Sequence, residues 1–400
     1  MFRFSIYSAN STWEKKWCTF WCLVPTEQMF FQFYRKPWKD TRAKHLCSKK
    51  NRLLTRKVQQ RNTGFQRKNT CRNSVNSQRK LLEAPVHIII FNVKAMITAL
   101  AGGVGAARFL TGLVELVNQK DLSVIVNTGD DIELFGLHIS PDVDIVTYTL
   151  AGIVDEEKGW GIRGDTFHCL EALRKFNDET WFNLGDRDLA THIFRTNLLK
   201  NGVKLSEVTA RVSRLLGLEV AILPMTDDRF ETRVLIEEGL VHFEEYFVKR
   251  GGHDEVLGVE FLGGDRAKPA AGVLEAIRDA EKVIVCPSNP IVSIGTILAV
   301  NGVRDALRRT DAKKVAVSPI IAGAPVKGPA DKLMRGLGFE VSAFSVAELY
   351  SDFLDTFVLD VADSAERDRI EKLGVEVEVT NTLMKSLEDK VELARTVLGT

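Results

Sequence analysis

The feature that most restricts how this 400-residue chain can fold is a strand, turn, helix, strand unit that opens at Met96. Residues 96–100 read as a buried strand and 101–105 as a glycine turn. Residues 106–117 read as a helix with Phe109, Leu110, Leu113, Leu116 and Val117 on its inward face. Residues 122–127 supply the next strand. Strands joined through a helix lie parallel, and a parallel sheet is covered on both faces. Further apolar runs at 282–286, 313–318 and 356–360 are each followed by a loop and a helical pattern. The expected class is therefore α/β, with a largely parallel sheet and helices on both faces.

The middle of the chain departs from that alternation. Residues 142–151, 165–176, 187–199 and 206–216 all read as helices, which predicts an inserted, mainly helical subdomain over about 142–217. Between 219 and 262 a small strand-rich patch is expected, with strands at 232–236 and 241–248 punctuated by Gly239 and the Gly251-Gly252 turn. One large domain with an insertion and two separate domains both fit 305 residues.

Residues 1–95 are built differently. They hold 20 Lys+Arg against 4 Asp+Glu, a net of +16, whereas 96–400 carry a net of −15. They also contain four of the six Cys and four of the six Trp, but one of the 29 Gly. Trp13, Lys15, Lys16, Trp17 and Trp21 interrupt any apolar run of a secretory signal. A basic, acid-poor segment suits a transit peptide or a nucleic-acid arm, but the composition favours an extension outside the fold, with the natural start at Met96. A chain started there is expected to fold and keep its activity. Zinc is not expected, because only Cys18 and Cys22 have knuckle spacing, and His45, Cys47 and Cys71 do not complete a second pair. The remainder has Cys169 and Cys286 alone, so no disulfide framework is visible. No run approaches the roughly 20 apolar residues of a membrane span. A cytoplasmic protein with neither membrane nor nucleic-acid partner is expected.

Several segments could carry chemistry. In Gly102-Gly103-Val104-Gly105-Ala106-Ala107-Arg108, glycines admit an oxyanion to the backbone and the helix start offers free N–H groups. As a dinucleotide fingerprint it is imperfect, since Arg108 stands where a third small residue packs. The motif G-x-x-x-x-G-K-[ST] is missing, which closes the P-loop route. Asn127-Thr128-Gly129-Asp130-Asp131 ends a strand with two carboxylates, either magnesium ligands or turn caps. Ser140-Pro141-Asp142-Val143-Asp144 opens a helix. Ser140 or Asp142 could cap it, and Asp144 could receive a hydroxyl proton or orient a polar substrate. Leu184-Gly185-Asp186-Arg187-Asp188 opens another, where Arg187 opposes the helix dipole and so suits an anionic or planar partner. His192 reads more readily as a packed or surface histidine than as a base. Two rigid loops follow strands: Cys286-Pro287-Ser288-Asn289-Pro290 with Ser293-Ile294-Gly295, and Ser318-Pro319-Ile320-Ile321 leading to Pro325-Val326-Lys327-Gly328-Pro329. Ser288 and Asn289 can donate to a phosphate or a base edge.

Taken in order with Pro319-Ile320-Ile321, these motifs closely resemble the 2-phospho-L-lactate transferase family, also called phosphoenolpyruvate transferase, of deazaflavin coenzyme F-420 biosynthesis. The resemblance spans essentially 96–400. It implies a Rossmann-like core and a Mg-dependent transfer from a guanosine diphosphate ester of lactate or enolpyruvate to the deazaflavin riboside FO, with GMP leaving. By the match, Asp131, Asp144 and Arg187 are the catalytic candidates, and Asp131, Asp142, Asp144, Thr147 and Arg187 face FO. Gly102, Gly103, Gly105, Ser288, Asn289 and Gly295 take the nucleotide side, and Asp130 and Asp131 the metal. A homodimer is left open. A rival from another class is a non-enzymatic regulator that binds a nucleotide sugar. There the acidic pair runs on into Gly-Ser-Ser-Gly-Arg, where this chain has Ile132-Glu133-Leu134-Phe135-Gly136. An NAD-dependent oxidoreductase is disfavoured by Arg108 and by the lack of a ribose-binding acid other than the Asp130-Asp131 pair.

Overall fold

The computed structural model describes residues 97–176 and 180–400. The expectations for residues 1–95 and for Met96 lie outside the described residues. Seven strands form the main sheet: β1 (Ile97–Ala101), β2 (Leu122–Val126), β3 (Ala221–Pro224), β4 (Lys282–Val285), β5 (Lys313–Val317), β6 (Thr356–Asp360) and β7 (Glu376–Thr380). Their spatial order is β7-β6-β5-β4-β1-β2-β3, and every neighbouring pair is parallel. The chain leaves β1 toward β2 and β3, then returns to β4 on the other side. The carboxyl ends of β1 and β4 therefore flank the point where strand order reverses, the place where open α/β sheets bind ligands.

Alternation along each strand serves two cores. Leu100, Ile125, Leu223, Val283, Val285 and Phe357 face one, and Ala99, Ala101, Val124, Val126, Ile284 and Val358 face the other. The second core is closed by α1 (Gly103–Leu113), α2 (Pro141–Leu150) and the final helix Leu387–Gly399. Phe109, Leu110 and Leu113 of α1 are fully buried, each contributing about 1.5–3 kcal/mol of transfer free energy. This is the expected Rossmann-like α/β fold with helices on both faces.

Local expectations are corrected at three places, and a hairpin stands where no element was expected. Helix α1 ends at Leu113 instead of 117, and Leu116 and Val117 pack from the following turn. The helix expected over 165–176 shrinks to His168–Leu173. Its late start follows from a reciprocal cap: Asp186 accepts from the His168 and Cys169 N–H groups, and Asp165 accepts from those of Arg187 and Asp188 at the start of α3 (Asp186–Lys200). The strand expected over 241–248 stops at His242, and Glu245–Lys249 forms a single π-type turn. Finally, Ile132–Leu134 and Leu137–Ile139 pair as a hairpin. No described helix is long and apolar enough to cross a membrane.

Candidate active site

The loops after β1 and β4 are locked together by small residues. A Cβ at Gly102 would stand 2.6 Å from Ser293 Cβ and 2.8 Å from Asp142 Oδ2, and one at Gly105 would stand 2.2 Å from the Pro287 carbonyl. Only glycine allows that approach. The Gly102 N–H donates to Ser288 Oγ at 3.3 Å, and Gly103 turns left-handed (φ 69°) into the helix. Asn289 holds the second loop from within, its Oδ1 accepting from the Ile291 and Val292 N–H groups at 3.0 and 3.3 Å. Gly295 packs against the Pro290 carbonyl in the same loop. The expected nucleotide-side residues are thus gathered at the switch point.

Beside them lies an acidic cluster organised by Asn127 at the end of β2. This fully buried amide donates from Nδ2 to Asp130 Oδ2 (3.0 Å) and Asp142 Oδ2 (2.9 Å). Its Oδ1 accepts from the Gly129 N–H and the Thr296 hydroxyl, both at 2.7 Å. Asp131 Oδ2 accepts from His138 Nε2 and Ser140 Oγ, both at 2.8 Å. A further carboxylate, Glu244, enters from the chain beyond Gly239–His242. His242 positions this segment: its Nδ1 accepts from the Glu244 N–H, which leaves Nε2 to donate to the Asp131 carbonyl at 3.1 Å.

Charge accumulates here without compensation. Burial, then the neighbouring carboxylates Asp142, Glu244 and Asp131, holds Asp130 well above the ordinary carboxylate range. Burial raises Asp142 to about 6, with Asn127 opposing the shift. Burial and then Asp142 and Asp131 raise Glu244 to about 8. Among the described residues no Lys or Arg pairs with Asp130, Asp142 or Glu244, and the buried Asp130 Oδ1 and Asp131 Oδ1 have no hydrogen-bond partner. A donor set of hard oxygens with two unused buried lone-pair atoms fits a divalent cation such as magnesium.

Protons and a cation would compete for that cluster, which fixes a sign. Acids whose folded pKa is raised bind more protons folded than unfolded, so they lower stability as pH rises from the ordinary carboxylate range to about 8. A magnesium ion held by this cluster would therefore raise the melting temperature more at about pH 8 than at about pH 6, by several degrees. Thermal melts with and without the ion check this, and an equal gain at both pH values would remove the ion from the cluster.

Asp144 lies in the first turn of α2, as expected, and is held there by a buried ion pair. Arg195 of α3, 1% exposed, grips both Asp144 oxygens, through Nη1 at 2.9 Å and through Nη2. Its Nη1 lies 3.2 Å from His192 Nδ1, His192 Nε2 lies 3.2 Å from Asp188 Oδ1, and Tyr148 donates to Asp188 Oδ1 at 2.8 Å. Asp144, Asp188 and His192 bring ligand atoms within 4.8 Å of one another. The guanidinium already supplies the positive charge there, so the group is an ion-pair network. Each Asp144 oxygen accepts one bond from the guanidinium and keeps a second lone pair, whereas the buried oxygens without any partner belong to Asp130 and Asp131. Thr147 is buried, its hydroxyl donating to the Val143 carbonyl at 2.6 Å inside α2. Arg187 is exposed, and among the described residues its guanidinium reaches only the Arg163 carbonyl, at 3.4 Å. That leaves the charge open to an incoming partner. Sequence reasoning missed Glu244, Arg195 and the hub role of Asn127.

A glycine turn and an acidic cluster at the switch point of a parallel sheet define a Rossmann-like protein equipped for phosphate-bearing ligands. The family described as 2-phospho-L-lactate transferase CofD matches residues 97–395. The chain is 44% identical over 300 residues to a 2-phospho-L-lactate transferase of Methanosarcina acetivorans, covering 75% of this chain and 97% of that protein. It is 45% identical over 308 residues to a phosphoenolpyruvate transferase of Streptomyces coelicolor, covering 76% and 97%. A crystal structure of a UPF0052-family protein from Bacillus halodurans superposes with a TM-score of 0.50 at 16% identity, covering 76% of this chain and 98% of that one, a likeness of fold alone. The chain belongs to the 2-phospho-L-lactate transferase family.

Proposed function

We propose that the protein moves a phosphoenolpyruvyl or 2-phospho-L-lactyl group from a guanosine diphosphate-linked donor to the deazaflavin riboside FO in coenzyme F-420 biosynthesis. The terminal ribityl hydroxyl of FO attacks the phosphorus that bears the organic acid. The bond from that phosphorus to the bridging oxygen breaks, GMP leaves with the electron pair, and the hydroxyl proton passes to the acidic cluster. Such transfer is positioning plus charge neutralisation and needs no covalent enzyme intermediate. The observation that carries this reading is the uncompensated cluster of Asp130, Asp131, Asp142 and Glu244 beside the glycine turn, in a chain of this family.

In this reading Gly102, Gly103, Gly105 and Ser288 receive the diphosphate, with Asn289 and Gly295 shaping their loop. Asp131 orients the attacking hydroxyl, Asp142 closes the same site, and Arg187 meets the acceptor. Asp144, held by Arg195, and Thr147 beside it on α2 face the acceptor. Asp130 and Asp131, with Glu244 beside them, would hold magnesium, which when bound neutralises charge on the diphosphate.

Relatives named for either acid are about equally similar, so identity does not choose the donor. The stretch Ala-Gly-Gly-Val-Gly-Ala-Ala-Arg-Phe-Leu at 101–110 looks more like bacterial members, which favours the enolpyruvyl donor. A pocket separates two acids this alike by about 1–3 kcal/mol, roughly 10 to 200 fold. The test offers both donors with FO and magnesium and weighs the product. The dehydro product should dominate. A product two hydrogens heavier would reverse the donor choice, and no transfer from either donor would overturn the function.

A further inference from the structure

Two cations border the first turns of α1 beside the glycine turn, with no counter-charge paired to either among the described residues. Arg108 lies on α1 one turn beyond Val104, half-buried. Lys327, exposed, comes from the Pro325-Val326-Lys327-Gly328-Pro329 loop, which has no part in the reading above. Its ammonium is directed to α1: a Cβ placed at Gly159 would stand 2.7 Å from Lys327 Nζ and 3.8 Å from Val104 Cγ1. Gly159, left-handed at φ 75°, thus leaves the room the amine occupies. Partial burial, then the charge of Arg108, lowers the Lys327 pKa from its ordinary value. Among the described residues neither side chain makes an ion pair or hydrogen bond, whereas the neighbouring Lys158 reaches Asp155 at 3.0 Å. Holding two like charges together is unfavourable unless an anion completes the group.

We propose that Arg108 and Lys327 form an oxyanion receptor for the donor, taking oxygens of its diphosphate or of its organic-acid carboxylate. The identity of the donor rests on the transferase reading; the anion site itself does not. Equilibrium titrations of the full chain with inorganic pyrophosphate, GDP and phosphoenolpyruvate test it at low ionic strength, where surface charges are least screened. Arg108→Gln and Lys327→Gln should each weaken an anion by about tenfold or more, as the loss of a charge-assisted contact does. Lys327→Arg should retain binding. Lys120→Gln, which removes equal charge from a residue paired with Glu219, should change nothing. Parallel losses for pyrophosphate and GDP place the contact at the diphosphate; a loss for phosphoenolpyruvate with GDP unchanged places it at the carboxylate. The receptor is overturned if all three anions bind both Gln variants as they bind the parent, if Lys120→Gln weakens them equally, or if the parent binds none. Failed transfer to FO would instead count against the transferase reading, leaving the titrations to decide the receptor.

Discussion

Arg195→Met should cost about 3–5 kcal/mol of stability. The guanidinium is buried and pairs with both oxygens of Asp144, itself 5% exposed. Its removal leaves a buried carboxylate whose nearest remaining basic atom is His192 Nδ1 at 3.7 Å. Breaking one side of a buried pair is expensive because the desolvated charge stays behind, whereas replacing both sides with apolar groups of similar shape is often close to neutral. The double change Arg195→Met with Asp144→Leu should therefore recover most of the loss. In thermal melts the single variant should fall on the order of 10 °C. Denaturant titration of both variants decides the matter. If the double variant were as unstable as the single one, the loss would come from packing in α3 and not from an orphaned charge.

The parts of this molecule legible in the sequence are those set by local pattern. The β1, α1, β2 unit and the parallel sheet follow from apolar periodicity, whereas the grouping of the glycine turn with Ser288 rests on the family resemblance. The site's chemistry was less legible because its decisive contacts cross the chain. Asp144 meets Arg195 over 51 positions, and Asn127 meets Thr296 over 169. Glu244 follows a short strand in a stretch with several exposed acids, and nothing in its neighbours' spacing marks it as the one that is buried. The hairpin that delivers His138 to Asp131 escaped for a local reason. Its turn residues Phe135 and Gly136 both have positive φ (54° and 70°), and phenylalanine gives no such signal where asparagine or aspartate would. That hairpin occupies the segment in which the rival nucleotide-sugar regulators would carry Gly-Ser-Ser-Gly-Arg.

Asp131→Asn should lower kcat on the order of a hundredfold, about 3 kcal/mol of barrier, while leaving the fold nearly untouched. The amide is isosteric, and its carbonyl oxygen can keep the two bonds that Oδ2 now accepts from His138 and Ser140. What changes is the other position. Oδ1, buried and without a partner, becomes an N–H donor facing the space it shares with Asp130, Asp142 and Glu244. A donor there neither orients an attacking hydroxyl as an acceptor nor binds a divalent cation, and it relieves part of the mutual repulsion that raises its neighbours. Stability should therefore hold or rise slightly while turnover collapses, a combination that a packing defect cannot produce. The measurement is kcat across a magnesium titration beside a melting curve for the same preparation. Normal turnover at saturating magnesium would remove Asp131 from the reaction, and a melting loss matching the loss of activity would make its role structural.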